Sequence, residues 1–301
     1  MATQQYLIIG GSTKCGTTSV FNYFEYHPQI CPCVMKESRF FWNNEYALSG
    51  EGRQSFSTKN FEDLFRNCSP RQIRLEATPD YLYSAETALT IRKDLEHCKL
   101  VFILRQPVSR LISWYNFAKL NGLLSPQTSF QNYVELQKKS SSGETPQHLR
   151  ALEQGNYSAH LENYIQIFGR QNIHITYYED LEKNPENFCR EIAKFAAIEE
   201  NYFAGFDFKV FNKTVSAKSV GLHRIFRKFK RTVRPLTRLF HSSIRKKLKL
   251  AGHKLETSYQ DMNKSASSSI EISRELREYL NDYYREDRDK LQRLTGQQPP
   301  W

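Results

Sequence analysis

The stretch Tyr6-Leu-Ile-Ile-Gly-Gly-Ser-Thr-Lys-Cys-Gly-Thr-Thr18 constrains the fold more than any other part of this chain. Its first four residues form a strand-length apolar run. Glycines follow where the chain must turn, and from Thr17 to Tyr26 apolar residues (Val20, Phe21, Phe24) recur at helical spacing. A buried strand that passes through a glycine loop into a helix offers backbone N–H groups and a helix N-terminus to an anion. A nucleoside-triphosphate loop of the form G-x-x-x-x-G-K-S/T needs lysine directly after its second glycine. Here that place is Thr17, and Lys14 lies inside the loop. The means of cradling a phosphate are kept, while the lysine is moved over the phosphate, beside whatever bond is broken there. A plain glycine turn before a helix is the competing reading. Lysine, glycine and two hydroxyls in this order after a strand favour the phosphate.

The remaining pattern predicts strands alternating with helices. Strands are expected over Ile30–Val34, Ile73–Leu75, Leu100–Leu104 and Ile173–Tyr177, with a short helix over Asn60–Phe65 capped near Ser57 or Thr58. Further helices are expected over Ala85–Leu95, from Pro107, over His160–Phe168 and Pro185–Ala197, and as one long amphipathic helix from Glu271 to Leu294 that ends at Gly296. Ser140 to Gly143 reads as a loop. The sum is an α/β fold: a single domain over residues 1–301, with a central, mainly parallel sheet flanked by helices.

With 39% apolar and 25% charged residues the 301-residue chain is globular, and its longest apolar runs are far short of a bilayer span. No signal peptide precedes the first strand, so a cytoplasmic location with reduced thiols is expected for the six cysteines. Cys31 and Cys33 are too close for a zinc knuckle and no second pair follows, so no metal is implied. The net charge of +11 is local: Lys218 to Lys249 holds twelve Lys/Arg and no Asp or Glu. Such a block points to one anionic partner surface.

Lys14-Cys-Gly-Thr-Thr-Ser19 resembles the 5′-phosphosulfate loop of the sulfotransferases that use 3′-phosphoadenosine 5′-phosphosulfate (PAPS). Leu104-Arg105-Gln-Pro-Val-Ser-Arg110-Leu-Ile-Ser113 is similar to that family's 3′-phosphate motif. Gly155-Asn-Tyr157, Tyr178-Glu-Asp-Leu181, Asn212-Lys-Thr214 and the tail from Tyr284 to Trp301 look like the family too, so the likeness spans nearly the whole chain. It implies the family's P-loop-like fold. It also implies a donor site in which Lys14, Cys15, Gly16, Thr17, Thr18 and Ser19 hold the 5′ end, and Arg105 with Ser113 holds the 3′-phosphate. Arg105 ends its expected strand, the side on which ligands of open α/β sheets bind.

Lys36-Glu37-Ser-Arg-Phe-Phe41 resembles the Glu-x-x-Phe-Phe segment of the heparan sulfate sulfotransferases, whose glutamate is the proposed general base. An attacking hydroxyl or amine must lose a proton, so a carboxylate near the acceptor is what the chemistry needs. A surface glutamate paired with Lys36 or Arg39 is the competing reading of Glu37. Glu76-Ala-Thr-Pro-Asp-Tyr81 matches the family's Glu-Lys-Ser/Thr-Pro-x-Tyr except that its lysine, which helps hold acidic sugar chains, is here Ala77. That departure favours a smaller acceptor, a natural product or a lipid-linked sugar. None of the eight histidines stands out as a base, and His27 resembles the structural His-Pro that ends the family's first helix.

Apolar residues recur at roughly helical spacing through the basic block, interrupted by Pro235, which predicts a basic amphipathic segment over 218–250. It is read either as helices packed on the domain with a solvated face, as a lid whose Lys218 and Arg224 reach the 3′-phosphate, or as a surface for anionic lipid. No nucleic-acid module is evident.

These readings converge on a PAPS-dependent sulfotransferase acting in line on a hydroxyl or amine of a small-molecule or carbohydrate acceptor. Lys14 and Glu37 are the expected catalytic pair and adenosine 3′,5′-bisphosphate the expected product. A P-loop kinase is weakened by the displaced lysine and by the lack of a clear magnesium-binding aspartate. A non-catalytic binder of membranes or polyanions would rest on the basic block alone. Nothing in the sequence speaks to the oligomeric state.

Overall fold

The computed structural model describes residues 4–42, 60–139, 145–209, 270 and 272–301. The basic segment with Lys218 and Arg224, the Ser140–Gly143 loop, Asn212 to Thr214 and Glu271 lie outside the described residues.

Five parallel strands form one sheet in the order β2-β3-β1-β4-β5: β1 (Tyr6–Gly11), β2 (Ile30–Pro32), β3 (Ile73–Ala77), β4 (Cys98–Leu104) and β5 (Ile173–Tyr177). Each apolar run alternates between two cores because successive side chains leave opposite faces of a strand. Leu7, Ile9, Val101 and Ile103 pack beneath α1 (Thr17–Phe24) and, further along the chain, α7 (Pro185–Ala196). Ile8, Leu100, Phe102 and Leu104 face α2 (Ala85–Asp94) and α5 (Ser158–Phe168). A third cluster joins α3 (Pro107–Leu120), α4 (Phe130–Lys138) and α8 (Arg274–Tyr283). With helices on both faces, a ligand has access at the carboxyl ends of β1 and β4. There the chain leaves neighbouring strands in different directions.

Besides two helices the sequence did not single out, α4 and one after β5, three details differ from the sequence expectations. The long C-terminal helix is broken at Tyr284 into α8 and α9 (Arg285–Thr295). The break lets the Tyr284 ring be buried with its hydroxyl donating to the Leu152 carbonyl at 2.8 Å. It also turns Asp287 onto the start of α5, where it accepts from the amides of Tyr157 (2.8 Å) and Ser158 (2.9 Å) and from the Ser158 hydroxyl (2.6 Å). Charge patterning alone cannot distinguish one amphipathic helix from two that share a face. The second difference is at Phe61–Leu64, a 3-10 turn capped by the Asn60 side chain, one turn of helix being all that Pro-free but short segment completes. The third is chemical. Cys31 and Cys68 are bonded, tying β2 to the turn before β3, whereas all six thiols were expected to be reduced; Cys15, Cys33, Cys98 and Cys189 are free and buried. Pairing at a separation of 37 residues leaves no local sequence signal. A short helix α6 (Tyr178–Lys183) follows β5 directly.

Candidate active site

The loop between β1 and α1 is shaped by two glycines that admit no side chain. A Cβ on Gly11 (φ +114°) would lie 2.2 Å from the Ile103 carbonyl oxygen, and one on Gly16 (φ +84°) would lie 2.9 Å from the Tyr178 ring. Lys14 also takes a left-handed backbone (φ 79°), so the loop curls back on itself before the helix begins. Gly16 is the N-cap of α1 and no side chain caps it, which leaves the first N–H groups of the helix facing the loop. Asp80 and Tyr83, in the turn Pro79–Tyr83 after β3, brace it from one side. The Thr13 hydroxyl donates to Asp80 Oδ1 and the Ser12 hydroxyl meets the Tyr83 hydroxyl.

Arg105 leaves the end of β4, crosses the Tyr178 ring at 4.4 Å and donates to the Lys14 carbonyl at 3.1 Å. The loop after β1 and the end of β4, the two segments that the sequence likeness links to a nucleotide, are therefore joined by a direct hydrogen bond. The Tyr157 hydroxyl donates to the Arg105 carbonyl at 2.8 Å, and the Gln106 amide donates to Glu179 Oε1 at 2.9 Å, holding the turn into α3. Ser113 stands buried on α3, one turn beyond Arg110. Arg110 is wholly buried: one terminal nitrogen donates to the Ala151 carbonyl, while Nε and Nη1 have no hydrogen-bond partner. The Lys14 ammonium rests 4.7 Å from the centre of the Phe117 ring, which stacks on Trp114. Burial, with the Arg105 guanidinium adding to it, pulls the Lys14 pKa down to about 8, against a smaller opposing pull from Glu37.

Among the described residues no carboxylate lies within ion-pair distance of Lys14, Arg105 or Arg110. Three cations lie near a glycine loop at a helix N-terminus, the kind of place at which backbone N–H groups and positive charge favour an anion. The Cys15 thiol is buried and pushed up to about 12 by that burial, against the opposing pull of Arg110 and Arg105, which disfavours its thiolate form. Thr17 and Ser19 are buried at the helix start and Thr18 is partly exposed.

Glu37 lies near enough to the loop for its charge to act on Lys14, and it is held 2.6 Å from Lys36 and 3.6 Å from Arg39 with over a third of its side chain (38%) exposed. Both readings of this residue have a structural counterpart, since its charge reaches Lys14 while its oxygens are tied to the neighbouring cations. Phe117 and Tyr83 carry no signal in the sequence that singles them out for the site, while Arg110 and Asp80 lie inside the family-like segments Leu104–Ser113 and Glu76–Tyr81 without a role assigned to them there. They come from elements whose approach is a tertiary event. Lys218 and Arg224 lie outside the described residues.

The family model described as "Sulfotransferase domain" matches residues 4–230. Over 213 residues the chain is 28% identical to a bifunctional heparan sulfate N-deacetylase/N-sulfotransferase of Drosophila melanogaster, covering 65% of this chain and 20% of that one. A membrane-associated sulfotransferase of Dictyostelium discoideum is 35% identical over 111 residues, 37% of this chain and 22% of that one. The chain thus spans about a fifth of the length of these curated relatives. A crystal structure of a sulfotransferase from Alicyclobacillus acidocaldarius shares the fold at a TM-score of 0.69, with 18% identity, over 98% of this chain and 97% of that one.

Proposed function

The chain belongs to the sulfotransferase domain family, and from that premise we propose that it moves a sulfuryl group from PAPS to a hydroxyl or amine of a carbohydrate or small-molecule acceptor. The observation that carries this reading is the meeting of Arg105 with the Lys14 carbonyl at the ends of two adjacent parallel strands. It brings the two phosphate-seeking groups together, with no carboxylate among the described residues paired to either.

The residues fit the donor. Its 5′-phosphate suits the glycine loop and the first amides of α1, where backbone can approach closely. Its 3′-phosphate suits Arg105 and Ser113, which select this nucleotide over ATP. In the transfer, the acceptor oxygen or nitrogen bonds to sulfur as the bond from sulfur to the bridging oxygen breaks, and the electron pair leaves with the 5′-phosphate. Lys14, lying inside the loop, neutralises that oxygen. Glu37 takes the acceptor proton once the acceptor has loosened its pairing with Lys36 and Arg39. Positioning and charge stabilisation supply the rate, as in phosphoryl transfer.

The relatives named for heparan sulfate support a carbohydrate acceptor, and Ala77 in place of the family's lysine supports a smaller or less acidic one. The Cys31–Cys68 bond supports an oxidising compartment over the cytoplasm, where thiols are kept reduced. No helix among the described residues is long and apolar enough to cross a membrane.

Calorimetry with adenosine 3′,5′-bisphosphate and with ADP, on the wild type and Arg105→Ala, tests the reading. Tight binding of the bisphosphate alone, lost in the variant, is expected and opens an acceptor screen with PAPS. Equal or absent binding of the two nucleotides would overturn it.

A further inference from the structure

Glu37 and Arg39 both hold left-handed backbone conformations (φ 60° and 55°) that residues with a Cβ avoid, and they flank Ser38, which is 2% exposed. Something must hold this segment in place, and the contacts identify it. The Glu37 amide donates to the Ala77 carbonyl at 2.9 Å. The Ser38 amide and hydroxyl both donate to Glu76 Oε1, at 3.1 and 2.9 Å. The Arg39 amide donates to the Thr78 hydroxyl at 3.3 Å, and that hydroxyl donates to the same Glu76 oxygen at 2.7 Å. The Phe40 amide returns to the Ser38 hydroxyl, and the Phe41 amide donates to the Tyr81 hydroxyl. Every amide from 37 to 41 is thus bound at the end of β3, in the turn that follows it, or on Ser38, and Glu76 is the hub.

Glu76 is an odd choice for a merely structural hub. It is 0% exposed, and among the described residues its second oxygen has no hydrogen-bond partner and it makes no ion pair. Burying a carboxylate this way is costly, and an apolar residue would pack the strand end at less cost. What an apolar residue cannot do is accept three hydrogen bonds on one atom beside Glu37. Burial raises the Glu76 pKa, against the three donors that favour its charged form and the more distant charge of Lys36.

We propose that Glu76 is a positioning residue for the reaction: by clamping Ser38 and Thr78 it holds Glu37 facing the donor loop in the orientation proton transfer needs. The inference rests on the sulfotransferase reading of Glu37. It assigns Glu76 no contact with donor or acceptor.

The test compares the wild type, Glu76→Ala, Glu76→Gln, Thr78→Val and Glu37→Gln. Three quantities are read: hydrogen exchange of the 37–41 amides, affinity for adenosine 3′,5′-bisphosphate, and turnover from PAPS to p-nitrophenol and to glucosaminyl oligosaccharides. Loss of buried hydrogen bonds of this kind corresponds to about tenfold or more in a local equilibrium. Glu76→Ala is therefore expected to speed exchange at 37–41 and to lower kcat by about that factor, with bisphosphate affinity within about twofold of the wild type. Glu76→Gln, which keeps the accepting oxygen, restores both. Thr78→Val falls between and serves in place of Glu76→Ala should that variant not fold. Unchanged exchange and kcat in Glu76→Ala, or a loss of bisphosphate affinity in step with kcat, would overturn the proposal while leaving the functional reading intact. A wild type that binds no bisphosphate sinks the functional reading first, and the role of Glu76 with it.

Discussion

At Lys14 the charge that the site needs is expensive to keep. Burial and the nearby Arg105 hold its pKa near 8, so the free protein near that pH carries a mixture of ammonium and amine. An anion bound in the loop favours the ammonium, and binding must then draw a proton from solution. Calorimetry of adenosine 3′,5′-bisphosphate in buffers of different ionisation enthalpy is expected to show proton uptake near pH 8 and weaker binding above it. Lys14→Ala is expected to remove the uptake and nearly all turnover; uptake unchanged in that variant would place the titrating group elsewhere. Gly16 makes the matching steric argument. Gly16→Ala forces a Cβ to 2.9 Å from the Tyr178 ring at a φ of +84°, a strain on the order of 1–3 kcal/mol, so bisphosphate affinity should fall by tenfold or more. His27 shows the opposite kind of residue, one the site does not use. The Gln29 amide donates to its Nδ1 at 3.1 Å, so Nε2 carries the proton and donates to the Glu199 carbonyl at 2.9 Å.

Among the elements, the junction between α9 and α5 couples the C-terminus to the donor site. Asp287 caps α5 by accepting from Tyr157 and Ser158, and the Tyr157 hydroxyl in turn holds the Arg105 carbonyl. Asp287→Ala should cost about 1–2 kcal/mol in urea unfolding, the scale of a lost N-cap, and should weaken bisphosphate binding as well. A variant that loses stability and keeps full affinity would show that the cap does not reach Arg105. Gly155 explains why this junction is so close. A Cβ there would lie 2.5 Å from the Tyr284 ring, the residue at which the C-terminal helix breaks.

For the molecule as a whole, redox state and pH are the two conditions to which stability should respond. With Cys31 and Cys68 bonded, the denatured protein should offer four reactive thiols before reduction and six after, and six at the outset would refute the bond. Closing a loop of 37 residues contributes roughly 3–4 kcal/mol in the chain-entropy account, so reduction should lower the unfolding midpoint clearly. As for pH, burial lowers the pKa of His27, His148, His160 and His174 in the folded state. The unfolded chain therefore binds more protons just below the ordinary value of 6.5. The stability these histidines contribute is complete above that pH and is lost as pH falls through their folded pKa values. The raised carboxyls of Glu76 and Glu179 act the other way, favouring the fold as they protonate. Comparing His27→Gln with the wild type isolates one histidine: the fall in unfolding midpoint between pH 7 and pH 5 should be shallower, and an equal slope would remove His27 from the account.

How much of this was legible in the sequence follows from the range of the interactions. The apolar runs Tyr6–Ile9 and Leu100–Leu104, the glycine loop and the proline that opens α3 are decided within a few residues, by burial, by positive φ and by the missing proline N–H. They were enough to specify an α/β fold with parallel strands and a phosphate-cradling loop that carries Lys14, whereas Arg105 as its partner on one nucleotide follows from the likeness of Leu104–Ser113 to the sulfotransferase 3′-phosphate motif. The α4 helix and the short α6 gave weaker local signals and were not separated from loops. Contacts across long separations decided the rest. The Cys31–Cys68 bond, the break at Tyr284, the Arg105–Lys14 meeting and the hold of Glu76 on Ser38 join residues dozens of positions apart, and each depends on which strand lies beside which. Local physics names the residues that want a partner; only the packed sheet determines which partner each one meets.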